Sequence, residues 1–212
     1  MVCLHMAGSH KLANLNVNSF WAGSIETAED SSILRAMKSL ILSCSLSEES
    51  KSRKMAEELE RFWRAQSDLD LEVLDLRDLA LPPCDGGSAY DHPATRKLDA
   101  ALSAADAVVF AVPIYNYDVN AAAKNVIELA GRHLTDKVAG FLCSAGGHWS
   151  YMAVMTVANS LMLDFRTVIV PRFVYAGGDE IREGEDLSES IRERLAKFGV
   201  EFQKLARAVH QA

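Results

Sequence analysis

Serines crowd a short polar segment, SCSLSEESKSRK at residues 43–54, immediately before a helical pattern begins. Hydroxyls and backbone N–H groups at a helix N-terminus form an anion site, which the positive end of the helix dipole strengthens. The segment has neither the G-x-x-x-x-G-K-[ST] pattern of a P-loop nor the G-x-G-x-x-G dinucleotide fingerprint. It predicts a phosphate site of another kind, and the alternative is helix capping in a polar surface loop. The candidate residues are Ser45, Ser47, Ser50 and Ser52.

A second segment, PIYNY at residues 113–117, follows a fully apolar run. Proline fixes φ and lacks an N–H group, so it ends the run. An asparagine offers both a donor and an acceptor, and the backbone amides beside it can meet the edge of a planar heterocycle. The alternative is an aromatic pair that packs on a neighbouring loop or in a subunit contact. The candidate residues are Pro113, Ile114, Tyr115 and Asn116.

A third segment, SAGGHW at residues 144–149, contains two consecutive glycines. Glycine permits positive φ and lets the backbone approach a flat ligand closely. In a turn between a strand and a helix, however, two glycines often serve the turn alone. The candidate residues are Ser144, Gly146, Gly147 and His148.

The elements that must position these segments alternate between short apolar runs and helical patterns, five times over. Such alternation predicts an α/β fold with a parallel sheet covered by helices on both faces. Ligands in such sheets bind outside the carboxyl ends of the strands, where the strand order reverses. The three segments follow the first, third and fourth strands and should border one crevice. The predicted strands are residues 38–43, 69–76, 106–113, 137–143 and 166–171, and the predicted helices are residues 47–66, 94–104, 119–132, 150–163 and one that ends near residue 208.

The two ends of this pattern differ from its middle. Residues 1–36 keep neither a helical nor a strand period, which predicts an irregular N-terminal extension to a single domain at residues 37–212. The charged segment AGGDEIREGEDLS at residues 176–188 either covers the crevice or is solvated, and its charge run favours a solvated loop.

Composition excludes several functions. The net charge of −7 gives no electrostatic attraction to DNA, RNA or anionic membranes. Charged residues interrupt every apolar run, and the N-terminus lacks a signal-peptide pattern, so we expect a cytoplasmic protein without a membrane partner. The four cysteines lie singly and the six histidines lack ligand spacing, which predicts reduced thiols and no metal site.

At these three segments the chain resembles the NADPH-dependent FMN reductase family, flavodoxin-like proteins that include azo-, quinone and chromate reductases. Family members typically carry a Gly-Ser-x-Arg-x-x-Ser-x-Asn-Arg loop after the first strand. The chain keeps Ser45, Ser50 and Arg53 of this pattern, and Ser47 and Ser52 stand in place of the arginine and the asparagine.

The other two motifs complete the resemblance. The family's Pro-Glu-Tyr-Asn reads PIYN here, with Ile114 in place of glutamate, and its Ser-x-Gly-Gly turn reads SAGG at residues 144–147. The motifs keep the family's order across about residues 38–175.

The resemblance implies a flavodoxin-like three-layer sandwich whose five-stranded parallel sheet has the order 2-1-3-4-5. It implies that the four serines hold the phosphate of FMN, that residues 113–116 flank the isoalloxazine and ribityl chain, and that residues 144–148 cover the other side of the ring. It further implies NADPH or NADH as electron donor, a small acceptor such as a flavin, quinone, azo compound or metal, and a homodimer or homotetramer.

Two other functions stay open at this point. The chain is either a non-enzymatic electron carrier of the flavodoxin type or a flavodoxin-like protein that has lost its cofactor. A carrier would show a Ser/Thr-x-Thr-Gly-x-Thr phosphate loop, which is absent from the sequence. No G-x-S-x-G elbow or Ser-His-Asp arrangement is visible, so we expect no hydrolase. Because the flavin itself carries the redox chemistry, we expect no catalytic acid–base residue.

Overall fold

The computed structural model describes residues 37–66, 69–182 and 184–211. The predicted N-terminal extension, residues 1–36, lies outside the described residues. No helix in the described ranges has both the length and the apolar character that crossing a membrane would require.

The described residues form seven strands and five α-helices, which alternate except where β4 follows β3 and β7 follows β6. The strands are β1 (Lys38–Ser43), β2 (Asp70–Asp75), β3 (Ala107–Tyr115), β4 (Asp118–Val119), β5 (Val138–Ala145), β6 (Val168–Ile169) and β7 (Val174–Gly177). The helices are α1 (Lys51–Arg64), α2 (Pro93–Ala104), α3 (Ala121–Ala130), α4 (Met155–Phe165) and α5 (Glu189–His210).

The sheet has the order β2-β1-β3-β5-β6, and every pairing along this path is parallel. With β5 as the fourth strand and β6 as the fifth, this is the predicted 2-1-3-4-5 order, and the flavodoxin-like α/β fold is confirmed. The order reverses at β1 and β3, so a crevice opens at their carboxyl ends, which is where such sheets bind ligands.

The edge of the sheet beside β5 differs from the prediction of one strand at residues 166–171. The edge consists of β6 and a separate β7, and both pair with β5. Pro171 lies between them and lacks the N–H group that a continuous ladder would need. The chain leaves the sheet there and returns at Val174, so β7 lies beside the carboxyl half of β5.

Two hydrophobic layers cover the sheet, one on each face, and they bury its central strands. In β1, Leu40 and Leu42 face the layer that includes residues of α2, α3 and α4, whereas Ile41 faces the layer of α1 and α5. Successive side chains of a strand point to opposite faces, so one unbroken apolar run serves both layers. Gly140 of β5 lets α5 approach closely, since a Cβ there would lie 2.7 Å from the ring of Phe198.

Candidate functional site

The loop after β1, residues 44–50, is shaped by one arginine in the first turn of α1. The Arg53 guanidinium donates to the carbonyl oxygens of Ser45, Ser47 and Glu48 at 3.0 to 3.2 Å. Its Nε donates to Oδ2 of Asp75, at the end of β2, at 2.8 Å. Arg53 therefore fixes the backbone of the loop and ties it to the neighbouring strand.

Asp75 is held as a carboxylate by its neighbours. Burial raises the pKa of Asp75. Hydrogen bonds from Arg77 and the charge of Arg53 together lower it by more, so the pKa lies below its ordinary value. The carboxylate of Asp75 thus balances the charge of Arg53 within the protein, and the Arg53 guanidinium stays bound to the loop.

The four serines of this loop have different positions. Ser50 caps α1, because its Oγ accepts the N–H of Arg53 at 3.1 Å, and its hydroxyl also lies 3.0 Å from that of Ser52. Ser52 is fully buried. Ser45 is buried as well, and its Oγ accepts the N–H of Ser47, which is exposed. Ser45, Ser47 and Ser50 are thus the serines that can contact an anion at the loop. The hydroxyl of Ser52 contacts that of Ser50.

The segment after β3 forms a tight hairpin that the sequence analysis missed. β4 pairs antiparallel with the end of β3, with Tyr115 opposite Asp118. Asn116 and Tyr117 make the two-residue turn, with φ of 51° and 63°. Two consecutive positive φ values define a type I′ turn, which normally takes Asn-Gly. Because of this hairpin, α3 begins at Ala121 and not at the predicted residue 119.

Asn120 joins this hairpin to the loop after β1. Its backbone N–H donates to Pro113 O at 3.1 Å, and its Nδ2 donates to Cys44 O at 2.7 Å. Asn120 is buried and precedes the first residue of α3. It therefore fixes the distance between two of the three predicted segments.

The glycine turn after β5 rests on the end of β7. The Tyr175 hydroxyl donates to Gly147 O at 2.6 Å and lies 2.9 Å from the hydroxyl of Ser150. A Cβ on Gly177 would lie 2.5 Å from Gly147 O, so only glycine permits this approach. The turn is held by the hydrogen bond from Tyr175 and by close contact between two backbone segments.

The segment at residues 176–188 has two parts. Most of its described charged residues are exposed, as a solvated loop requires, whereas its glycines at 177 and 178 pack against the glycine turn. Gly178 lies beneath His148, since a Cβ there would be 3.1 Å from His148 Nε2. Glu180 fixes this corner by accepting the Gly177 N–H and pairing with Arg194 at 2.6 Å. The segment supports the glycine turn from outside, and the charge pattern could not reveal that packing.

One cavity connects the three predicted segments at the carboxyl edge of the sheet. We call it the strand-end cleft. Its volume is about 360 Å³, which suits a small-molecule site. Its lining residues are Ser45, Ser47, Glu49, Ser50, Lys51, Pro113, Ile114, Tyr115, Ser144, Ala145 and Gly146.

Four predicted residues are not among those that line the cleft. Ser52 is buried beneath Ser50, and Asn116 occupies the hairpin turn. Gly147 directs its carbonyl oxygen to Tyr175. His148 has a side chain that is 66% exposed, with Nδ1 3.9 Å from Glu180 Oε2.

The chain can now be compared with known proteins. Residues 37–180 match the family described as NADPH-dependent FMN reductase. The chain belongs to this family. An NAD(P)H-dependent FAD/FMN reductase of Geobacillus thermodenitrificans is 31% identical over 138 residues, which are 63% of this chain and 74% of the relative. Membership of the FMN reductase family makes the chain an NAD(P)H-dependent flavin oxidoreductase with FMN as its flavin.

Solved structures share the fold of this FMN reductase. FerB, a flavoenzyme NAD(P)H:(acceptor) oxidoreductase from Paracoccus denitrificans, has a TM-score of 0.66 at 21% identity, covering 81% of this chain and 98% of its own. The NADH:FMN oxidoreductase EmoB has a TM-score of 0.66 at 17% identity, covering 80% and 89%. At these identities the likeness concerns the fold.

The strand-end cleft has groups that fit FMN. The N–H groups of Lys51 and Ser52 come before the first intrahelical hydrogen bond of α1. The side chain of Ser50, which caps the helix, accepts only the N–H of Arg53. A Cβ on Gly146 or Gly147 would meet nothing within 4 Å, so there is open space above the glycine turn. Hydroxyl and N–H donors at one end and open space at the other suit a phosphate and a flat ring.

Two cysteines near the strand ends do not add thiol chemistry. Burial raises the pKa of the Cys44 thiol and of the Cys143 thiol far above the ordinary value. Both stay protonated at neutral pH, and a thiolate is the reactive form.

Four residues that shape the site carried no individual prediction: Arg53 as organiser of the loop, Asp75, Asn120 and Gly177. The sequence predicts Arg53 as part of the family pattern and as a cation in the first turn of the helix, but not as the residue that shapes the loop. A cation in the first turn of a helix opposes the helix dipole, and that mismatch is the signal that points to it. The other three act through contacts distant in sequence, which a single sequence does not display.

Proposed function

We propose that this FMN reductase family member binds FMN in the strand-end cleft, oxidises NADPH or NADH, and passes the electrons to a small acceptor such as a free flavin, a quinone, an azo compound or a metal ion. The observation that supports this proposal most directly is the cavity itself, which residues from three separate strand ends line together. FMN supplies the redox chemistry, accepting a hydride and releasing electrons.

The residues of the cleft would bind and orient the cofactor. Ser45, Ser47 and Ser50 would donate hydrogen bonds to the phosphate. Pro113, Ile114 and Tyr115 would flank the ring and the ribityl chain, and Ser144 and Gly146 would lie on the other side.

The remaining assignments extend this proposal. Gly147 would allow close approach of the turn, whereas Ser52, Asn116 and His148 would support the cleft from outside. We propose a cytoplasmic homodimer or homotetramer. Exposed aromatic side chains support an assembly, because a partner subunit would cover them. They are Tyr115, Tyr117, Trp149 and Tyr151.

Visible absorption spectroscopy tests the proposal. The protein is mixed with FMN, passed through a gel-filtration column, and then titrated with NADPH and with NADH. We expect a retained two-band flavin spectrum that a reduced nicotinamide bleaches, and oxidation of the nicotinamide once a quinone or azo dye is added.

A variant pair locates the flavin. Gly146→Leu places a side chain in the open space of the cleft and should abolish flavin retention, while the protein stays folded. Leu163→Gln, at an exposed position on α4, is the matched control. A wild-type protein that retains no flavin, and oxidises no NADPH or NADH with free FMN present, would overturn the proposal.

A further inference from the structure

We propose that Lys51 supplies the positive charge for the FMN phosphate, as a determinant of phosphate specificity in the strand-end cleft. This inference rests on the proposed function, because it concerns the same site. There are three reasons. The neighbouring arginine is already hydrogen-bonded within the protein, Lys51 lines the cleft, and the first turn of its helix contains no acidic residue.

Arg53 is not available to a ligand. Its guanidinium makes four hydrogen bonds, three to carbonyl oxygens of the loop and one to Asp75. Its side chain is only 11% exposed. The position at which the family pattern has a second arginine holds Ser47, whose hydroxyl carries no charge. A cation for a phosphate in the cleft would therefore have to come from another residue.

Lys51 is the first residue of α1 and lines the strand-end cleft together with Ser45, Ser47 and Ser50. Its Nζ donates to Gly178 O at 3.1 Å. An ammonium group has three N–H donors, so this contact fixes the side chain beside the cleft and leaves donors for an anion. Lys51 thus combines a backbone N–H and a cationic side chain at one point.

The first turn of α1 contains basic residues and no acidic ones. Cations at a helix N-terminus are unfavourable unless an anion balances them. Lys54 is the other lysine of this turn, but its Nζ donates to Arg182 O and Glu185 O, and it does not line the cleft in the described part of the chain. Lys51 is the lysine of this turn that lines the cleft.

Glu49 also lines the cleft and opposes an anion. A lysine is a single point charge, without the two-pronged grip of an arginine on phosphate. We therefore expect phosphate binding that is moderate and sensitive to salt, so that FMN exchanges with free flavin.

The test compares FMN with riboflavin, which lacks the phosphate. Flavin fluorescence quenching gives Kd for both ligands with the wild type, Lys51→Met and Lys54→Met. For Lys51→Met we expect the Kd of FMN to rise about tenfold or more, as for the loss of a charged hydrogen bond, and the Kd of riboflavin to stay within about twofold. Lys54→Met should leave both unchanged.

Two rescue variants separate charge from structure. Lys51→Arg should bind FMN about as well as the wild type. Adding Ser47→Arg to Lys51→Met should restore FMN binding and leave riboflavin binding unchanged.

The outcomes distinguish this inference from the proposed function. If Lys51→Met binds FMN as tightly as the wild type, or loses FMN and riboflavin equally, Lys51 is not a phosphate ligand, although the flavin site stands. If the wild type binds neither flavin, the inference on Lys51 is overturned, and the proposed function falls with it if no NADPH or NADH is oxidised with free FMN present. Thermal unfolding followed by circular dichroism identifies any variant that is not folded, and Lys51→Arg then supplies the comparison.

Discussion

The loop after β1 and the glycine turn after β5 border the same cleft but are held in opposite ways. Hydrogen bonds from two side chains, Arg53 and Asn120, hold the first. The second depends on the direct approach of two backbone segments at Gly147 and Gly177, together with one hydrogen bond from Tyr175. The first is sensitive to the loss of a side chain, and the second to the gain of one.

The two regions show two ways in which a site can be held in shape before its ligand binds. In the loop, a buried cation turns carbonyl oxygens away from the ligand, so hydroxyls and N–H groups remain for an anion. In the turn, the absence of side chains leaves room for a flat ring. Variants in each region should therefore fail by different physical mechanisms.

The largest effect should come from Arg53→Met. The variant leaves three loop carbonyl oxygens without their donor and removes a partner of Asp75, whose side chain is 15% exposed. Leaving a buried charge unpaired costs about 3 to 5 kcal/mol, and because Arg77 still pairs with Asp75 we expect a loss at the lower end of that range. Urea unfolding should show a loss in that range, and flavin binding should be lost with it.

Arg53→Lys is the matched control for this loss. It keeps the charge but cannot make the same fork of hydrogen bonds, so we expect partial recovery of stability and little recovery of flavin binding. Equal stability of Arg53→Met and the wild type would show that the loop does not depend on the arginine.

Gly177→Ala should have an intermediate effect. The new methyl group would lie 2.5 Å from Gly147 O, so the turn must move. Overpacking of this kind costs about 1 to 3 kcal/mol. Urea unfolding measures the cost.

Gly146→Ala is the comparison, because its methyl group meets no atom within 4 Å in the folded protein. It should leave the free energy of unfolding nearly unchanged and weaken flavin binding. If both variants lose similar stability, close backbone approach is not what holds the turn.

Acid should weaken the loop through Asp75. The folded-state pKa of Asp75 lies below its ordinary value, which is about 3.9 in an unfolded chain. Its contribution is therefore present above about pH 4 and is lost as the pH falls through the folded-state pKa. Urea unfolding of the wild type and Asp75→Asn should differ most near pH 7 and converge towards pH 3. A difference that stays constant across this range would contradict the assignment, and exposed Asp91→Asn is the control.

The smallest effect should come from Tyr117→Gly in the hairpin beside both regions. A left-handed conformation costs a non-glycine residue about 1 to 2 kcal/mol, and part of the gain is offset by the flexibility of glycine in the unfolded chain. We expect stabilisation of about 0.5 to 1 kcal/mol, measured by urea unfolding. Asn116→Gly should gain less, because asparagine tolerates this conformation. A destabilised Tyr117→Gly would show that the ring, although 66% exposed, contributes packing.

Local patterns in the sequence predicted the α/β class and the strand ends that border the cleft, and the resemblance to the FMN reductase family supplied the strand order. Apolar runs identified the strands, and Ser50 and Gly146 lie at strand ends where the topology brings them together. The prediction did not extend to what holds the site. The contacts of Asp75 with Arg53 and of Gly177 with Gly147 join residues far apart in the chain, and hairpin formation at Asn116 overrode the helical pattern.

Arg53 has a consequence for how this protein can change over evolutionary time. It binds the carbonyl oxygen of Ser47, a residue that lines the cleft, and this contact does not depend on the side chain at position 47. Substitutions there alter the charge presented to a ligand without altering the scaffold. The shape of this loop and the chemistry that it presents can therefore change separately, which makes position 47 a natural place to alter cofactor preference.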